Sequence, residues 1–260
     1  MSSSKSALIT GASSGIGAVY AHRLAARGYD LILVARRADK LAALAAELEA
    51  THGVAVRSMA ADLTAETGMA SVEQVLRDEP IALLVNNAGM GPFATTADMS
   101  DADAAATLTL NVTALMRLTR AALPGMRARK TGTVVNVGSV MAFFPSPMSA
   151  LYSATKAFVL TFSRGVAEEA QQDGVLVQAV LPAGTVTDFY ETAGVSIDNF
   201  DRAVFMTAEQ LVDAGLAGMD RGETVTLPSV HEEALWAGYD AARAQLFAGT
   251  QNGQPAPRYV

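Results

Sequence analysis

A doubly wound parallel sheet in three α/β/α layers, folded as a single domain over residues 1–260, is the fold the sequence predicts. Three observations predict it. Short, wholly apolar runs recur along the chain, longer stretches with helical spacing of apolar residues separate them, and a glycine-rich turn follows the first run. Apolar runs without polar alternation are strands buried on both faces, as in a parallel sheet covered by helices. Right-handed crossovers between such strands place the ligand crevice beyond their carboxyl ends.

Strands are expected at Ala7–Thr10, Leu31–Ala35, Val54–Met59, Ile81–Val85, Gly132–Val137 and Val175–Leu181. Between the second and third, Leu41, Leu44, Ala45 and Leu48 fall at i, i+3, i+4 and i+7, an amphipathic crossover helix that ends at His52-Gly53. Two segments break the rhythm. The stretch from Pro182 to about Phe205, rich in Gly, Thr and Asp, reads as an irregular substrate flap over residues 183–205, and residues 247–260 as a partly mobile or subunit-contacting tail.

Composition narrows the function. Half of the 260 residues are hydrophobic, ample for one core. With 19 basic against 26 acidic residues the net charge is -7, which argues against nucleic acid as a partner. The absence of cysteine excludes disulfides, thiolate nucleophiles and cysteine-metal sites, and the three histidines, His22, His52 and His231, form no ligand spacing. Nothing approaches the length of an apolar membrane span, so no membrane is expected as a partner and a cytoplasmic location is.

Chemistry gathers at four places. Gly11, Gly15 and Gly17 follow the first strand and open a helix, where glycines let backbone N–H groups approach a pyrophosphate that the helix N-terminus favours. Asn86, Asn87 and Gly89 end the fourth strand at the mouth of the expected crevice, and Ser139 follows the fifth. Taken alone, the first of these is also an ordinary Asn-Gly-type turn and the second a capping serine. Tyr152 and Lys156 stand four residues apart, on one helical face. A tyrosine titrates too high for easy acid–base work at neutral pH, and a nearby cation favours its phenolate.

The order of these motifs, T-G-x-x-x-G-I-G at Thr10–Gly17, N-N-A-G at Asn86–Gly89, Asn111, Ser139 and Y-S-A-T-K at Tyr152–Lys156, resembles the short-chain dehydrogenase/reductase family over about Lys5 to Asp188. The resemblance implies a Rossmann-type fold that binds a nicotinamide cofactor. Tyr152 would be the general acid/base, Ser139 would hold the substrate oxygen, and Lys156 would bind the nicotinamide ribose and lower the tyrosine pKa. The main-chain carbonyl of Asn111 would hold a water of a proton relay. The implied cofactor contacts are Gly11, Ser13, Ser14, Gly15, Ile16 and Gly17 of the turn and Asp62 and Leu63 against the adenine. Asn87, Ala88 and Gly89 join them, as do Tyr152, Lys156, Pro182, Gly184, Thr185 and the carboxamide-contacting Thr187. One departure stands out: the family's Pro-Gly is here Pro182-Ala183, with Gly184 one place later.

Cofactor choice rests on the end of the second strand. An NAD site of this type carries a carboxylate there for the ribose 2′-hydroxyl, and this chain has Ala35, followed by Arg36 and Arg37. Guanidinium groups suit a 2′-phosphate, so NADP (NADPH) is expected, with Arg36 as principal contact and Arg37 as a second or an adenine stacker. The expected activity is interconversion of a ketone or aldehyde and an alcohol, with a small-molecule substrate. The alternatives are an NAD-linked alcohol or steroid dehydrogenase and a non-catalytic cofactor-binding regulator. Met90, Met141, Met148 and Met206, with Phe143, Phe144, Phe189 and Tyr190, are candidates for an apolar pocket wall. Helices around 107–126 and 154–170 carry more apolar surface than one sheet face needs, which, with the pairing of the matching helices in the family resembled, predicts a homodimer or homotetramer.

Overall fold

The computed structural model describes residues 5–193 and 195–260. Met1–Ser4 and the flap's Gly194 lie outside the described residues. The chain divides into two compact units, the first ending at Pro228 and the second spanning Ser229–Val260.

The first unit carries the whole doubly wound fold. In chain order its elements are β1 (Lys5–Thr10), α1 (Gly15–Ala26), β2 (Tyr29–Ala35), α2 (Ala38–His52), β3 (Val56–Ala60), α3 (Glu66–Asp78), β4 (Ile81–Asn86), α4 (Asp101–Leu108), α5 (Leu115–Arg129), β5 (Gly132–Val137), α6 (Ala150–Ala170), β6 (Val175–Val180), β7 (Thr185–Val186), α7 (Phe189–Thr192), β8 (Met206–Thr207), α8 (Ala208–Asp220) and β9 (Val225–Thr226). A π-helical turn, Thr109–Ala114, joins α4 to α5. The main sheet runs β3-β2-β1-β4-β5-β6-β9, every pairing parallel.

Strand alternation explains why the strand sequences are apolar throughout. Ala7 and Ile9 of β1 pack with Tyr20 and Leu24 of α1, Leu41 of α2 and Val212 of α8, whereas Leu8 between them packs with Met69 and Val72 of α3 and Leu118 of α5 on the other face. Both faces of the sheet are therefore cores. Inside, Asn86 donates to Thr119 Oγ1 at 3.0 Å and to Asn136 Oδ1 at 2.9 Å, and Asn136 donates to Ser163 Oγ at 2.9 Å. This chain of buried amides links β4, β5, α5 and α6 behind the crevice.

Three expectations need correcting. β3 begins at Val56, two residues later than expected, and as the edge strand it is largely exposed. β9 is a seventh strand, unforeseen because its two residues carry no readable period. The flap is not irregular throughout: β7 pairs with β8, and Met206 N donates to Gly184 O at 2.9 Å, so its two ends are fastened together.

The second unit consists of α9 (Glu233–Gly249) and a short 3-10 turn at Pro257–Tyr259. It starts well before the expected tail, and α9 has no buried residue. Among the described residues no helix is long and apolar enough to cross a membrane.

Candidate active site

Tyr152 lies in the first turn of α6 and Lys156 one turn later, so both side chains leave the same face. That face meets the end of β5. Lys156, only 6% exposed, donates from Nζ to the Val137 carbonyl at 3.0 Å, and its ammonium stands 5.5 Å from the Tyr152 ring centroid. Ser139, two residues beyond β5, is buried. Its Oγ accepts from Met141 N–H at 3.1 Å, faces the Pro182 carbonyl at 3.4 Å and is hydrogen-bonded to the Tyr152 hydroxyl.

Burial is the largest influence on the Tyr152 phenol and pushes its pKa above the usual tyrosine value; the hydrogen bond with Ser139 opposes this and Tyr190 adds to it. Burial also pushes the Lys156 ammonium down, to about 8. The family resemblance implies that Lys156 lowers the tyrosine pKa. In the protein without cofactor, withdrawing the phenolate from water outweighs the hydrogen bond with Ser139. Tyr152 therefore keeps its proton at neutral pH.

Asn111 sits in the π turn, 2% exposed. Its side chain makes a two-way clamp on Met90: Oδ1 accepts from Met90 N–H at 2.9 Å and Nδ2 donates to Met90 O at 2.7 Å. Nδ2 also donates to Thr155 Oγ1 at 3.1 Å, and Thr155 Oγ1 donates to Tyr152 O at 2.7 Å. The side chain, not only the main chain, thus ties the loop after β4 to the helix that carries Tyr152. A Cβ on Gly89 would stand 3.7 Å from Lys156 Nζ, so the N-N-A-G loop runs directly past the ammonium.

At the other end of the crevice the turn after β1 is held by Thr10, whose importance the sequence reading missed. Its Oγ1 donates to Val85 O at 3.3 Å and accepts from the N–H groups of Asn87 and Ala88, each at 3.0 Å. Asn87 answers through Nδ2, which donates to Thr10 O at 3.0 Å and Gly11 O at 3.3 Å. Gly11 and Gly15 hold φ of +65° and +54°, and a Cβ on Gly17 would lie 2.3 Å from Gly11 O. Ile16 packs into the core beneath.

The two arginines are arranged differently from the expectation. Arg37 crosses to the glycine-rich turn, Nη2 donating to Ser13 Oγ at 3.0 Å and to Ser14 Oγ at 2.7 Å. Arg36 lies near Asp62, whose carboxyl is held below its usual range first by the N–H and hydroxyl of Thr64 and then by this guanidinium. Leu63 is buried in the core, so only its backbone is left to meet a ligand. The cradle fits a dinucleotide phosphate: α1 has no acidic residue in its first turn, and a guanidinium already spans its opening.

The flap closes the remaining side. Thr187 lies over the turn, its Cγ2 3.2 Å from where a Gly15 Cβ would be, and its Oγ1 accepts from Phe189 N–H at 3.4 Å. Thr185 is buried, its Oγ1 donating to Ala183 O at 3.2 Å. The displaced glycine has a local cause: a Cβ on Gly184 would stand 3.1 Å from the Phe205 ring. Gly91, also missed from sequence, lets the chain run along the Tyr152 ring, since a Cβ there would be 2.3 Å from Cδ2. Its signal was the second glycine just beyond N-N-A-G. A cleft of about 620 Å³ opens between Val186, Thr187, Tyr190 and Ile197.

Acid–base chemistry beside a bound dinucleotide is what this crevice is shaped for, which is the work of nicotinamide-dependent oxidoreductases. The chain belongs to the short-chain dehydrogenase/reductase family, whose short chain dehydrogenase profile matches residues 5–195. It is 34% identical over 223 residues to very-long-chain 3-oxoacyl-CoA reductase-A of Danio rerio, covering 84% of this chain and 69% of that protein. Among solved structures it is similar to a short-chain dehydrogenase from Sphingobium yanoikuyae in complex with NADPH, at 45% identity and a TM-score of 0.95 over 98% of this chain and 100% of that one. It is also similar to the bulky-bulky ketone specific alcohol dehydrogenase from Comamonas testosteroni, at 39% identity and a TM-score of 0.90 over 98% of both chains. The chain spans 58% to 71% of the length of the curated relatives it matches.

Proposed function

We propose that the protein interconverts a ketone or aldehyde and an alcohol with NADP(H), and that its site is set for carbonyl reduction. The observation that carries this reading is the Tyr152 hydroxyl hydrogen-bonded to Ser139 at the end of β5, with the Lys156 ammonium 5.5 Å from the centroid of its ring. Bound NADPH supplies the hydride. Ser139 Oγ and Tyr152 Oη hold the carbonyl oxygen, and Tyr152 gives its proton there as charge develops. Lys156 holds the nicotinamide ribose, and Asn111 keeps the loop after β4 in register with α6. The 2′-phosphate is held by Arg37 together with Ser13 and Ser14, with Arg36 beside it. Support comes from the NADPH complex and the ketone specificity that the similar structures' descriptions state. The NAD-linked alternative is disfavoured by Ala35, which leaves no carboxylate at the end of β2.

The test is loss of NADPH absorbance with a panel of ketones and aldehydes. Tyr152→Phe is expected to lower kcat by about 10³-fold while NADPH still binds. Substantial turnover in the folded variant overturns the assignment, and better use of NADH by the wild type overturns the cofactor choice.

A cytoplasmic setting and a homodimer or homotetramer belong to the same proposal. The second is supported by Phe158 and Phe162, stacked at 5.4 Å and partly exposed on α6. Light scattering that gives a single 27.0 kDa particle overturns it.

A further inference from the structure

Tyr152 is one end of a chain of rings that leads out of the site. Phe189 lies 5.6 Å from it between centroids, Tyr190 lies edge-on to Phe189 at 5.8 Å, and Phe200, at 5.7 Å from Tyr190, is 39% exposed. Tyr190 is the hub. It also meets Phe205 at 5.3 Å and, from the loop after β4, Phe93, whose ring is nearly parallel to its own at 6.4 Å. Phe93 and Tyr190 belong to opposite banks of the crevice, the loop that runs along the Tyr152 ring and the flap that closes over it. Tyr190 also borders the cleft of about 620 Å³ on the flap, whose other walls are flap residues that include Asp188 and Glu191, so it stands between that cleft and the rings that lead to Tyr152.

We propose that Phe93, Phe189 and Tyr190 form an aromatic subsite next to the carbonyl position, and that Tyr190 selects carbonyl substrates carrying an aryl or fused-ring substituent. The proposal rests on the oxidoreductase reading above and names what that site accepts. Rings prefer edge-on and offset contact with other rings, so a wall of rings at several tilts favours an aryl group over a saturated one of equal bulk. Tyr190 itself meets Phe93 at 21° and Phe189 at 87°, so the rings that would border an aryl group already stand at different tilts. A ring contact of ordinary quality corresponds to a factor of roughly 2 to 10 in binding.

The test compares 1-phenylpropan-1-one, its saturated counterpart 1-cyclohexylpropan-1-one and butan-2-one as substrates for the wild type, Tyr190→Phe, Tyr190→Leu and Phe93→Leu. The wild type should prefer the phenyl over the cyclohexyl ketone by roughly 3- to 10-fold in kcat/KM, mostly through KM. Tyr190→Phe should keep that ratio. Tyr190→Leu should bring it close to one with turnover of butan-2-one retained, and Phe93→Leu, altered on the opposite bank, should lower it independently should Tyr190→Leu fail to fold. An unchanged ratio in a folded leucine variant, or a loss shared equally by all three ketones, overturns the subsite. A wild type that reduces none of them, nor any carbonyl in the wider panel, overturns the oxidoreductase reading instead.

Discussion

The floor of the crevice and its flap are built on opposite terms. The floor, from β1 through β5, is held by backbone fit: glycine Cα atoms sit within van der Waals reach of other main chains, and Thr10, Asn87 and Asn111 fix backbone groups to one another. The flap is held by side chains, a cluster of rings around Tyr190 and one short strand pair. Backbone fit tolerates almost no added atom, whereas ring clusters can repack. The floor thus leaves little room for change, and on the subsite proposed above the flap is where substrates would be distinguished.

Two glycines put this contrast at risk. A methyl on Gly17 would meet the Gly11 carbonyl, which cannot move without dragging β1, so Gly17→Ala is expected to cost about 3 kcal/mol and to abolish NADPH binding. Urea unfolding and cofactor titration both read it, and a stable variant that binds cofactor would show the floor to be as yielding as the flap. Next in size is the arginine pair. Arg37→Ala is expected to weaken NADPH binding roughly 10- to 100-fold with NADH little changed, and Arg36→Ala to do less; calorimetric titration of both nucleotides decides, and the reverse order would restore Arg36 as the principal contact.

A third, smaller effect concerns pH. Lys156 titrates at about 8 when folded and near its ordinary lysine value when unfolded, so the unfolded chain holds the extra proton between these limits and stability rises with pH through that window. Relative to Lys156→Met, the wild type should gain about 1.5 kcal/mol between pH 8 and 9.5, read from urea midpoints. No relative gain would mean that the ammonium is hydrated rather than buried. The smallest effect is expected in the flap: Gly184→Ala meets only the Phe205 ring, which can tilt, and should cost under about 1 kcal/mol while raising KM.

The legible part of this protein follows the same division. Six strands, the glycine-rich turn and the Tyr152–Lys156 face were readable because each leaves a local trace: an apolar run, a glycine spacing, an i, i+4 pair. β9 was not, since a two-residue strand exists only by pairing with β6. Neither was the reach of Arg37 to Ser13 and Ser14, because a neighbouring arginine offers the same chemistry and only the backbone direction chooses between them. The upward push on Tyr152 was misjudged for a related reason. Sequence shows which charges are near but not how much water is excluded.

The π turn at Thr109–Ala114 has a consequence for the whole path from α4 to α5. One extra residue in a helix rotates everything after it by about 100°, so a single rod acquires two phases. Before the turn the helix faces α6, the carrier of Tyr152; after it, the apolar stripe faces α3 and β4. Asn111 sits at the changeover and is thereby aimed inward at Met90. The extra residue acts as a phase shifter, and removing any one residue from the turn would leave the composition almost untouched while rotating one half of the rod off its partner.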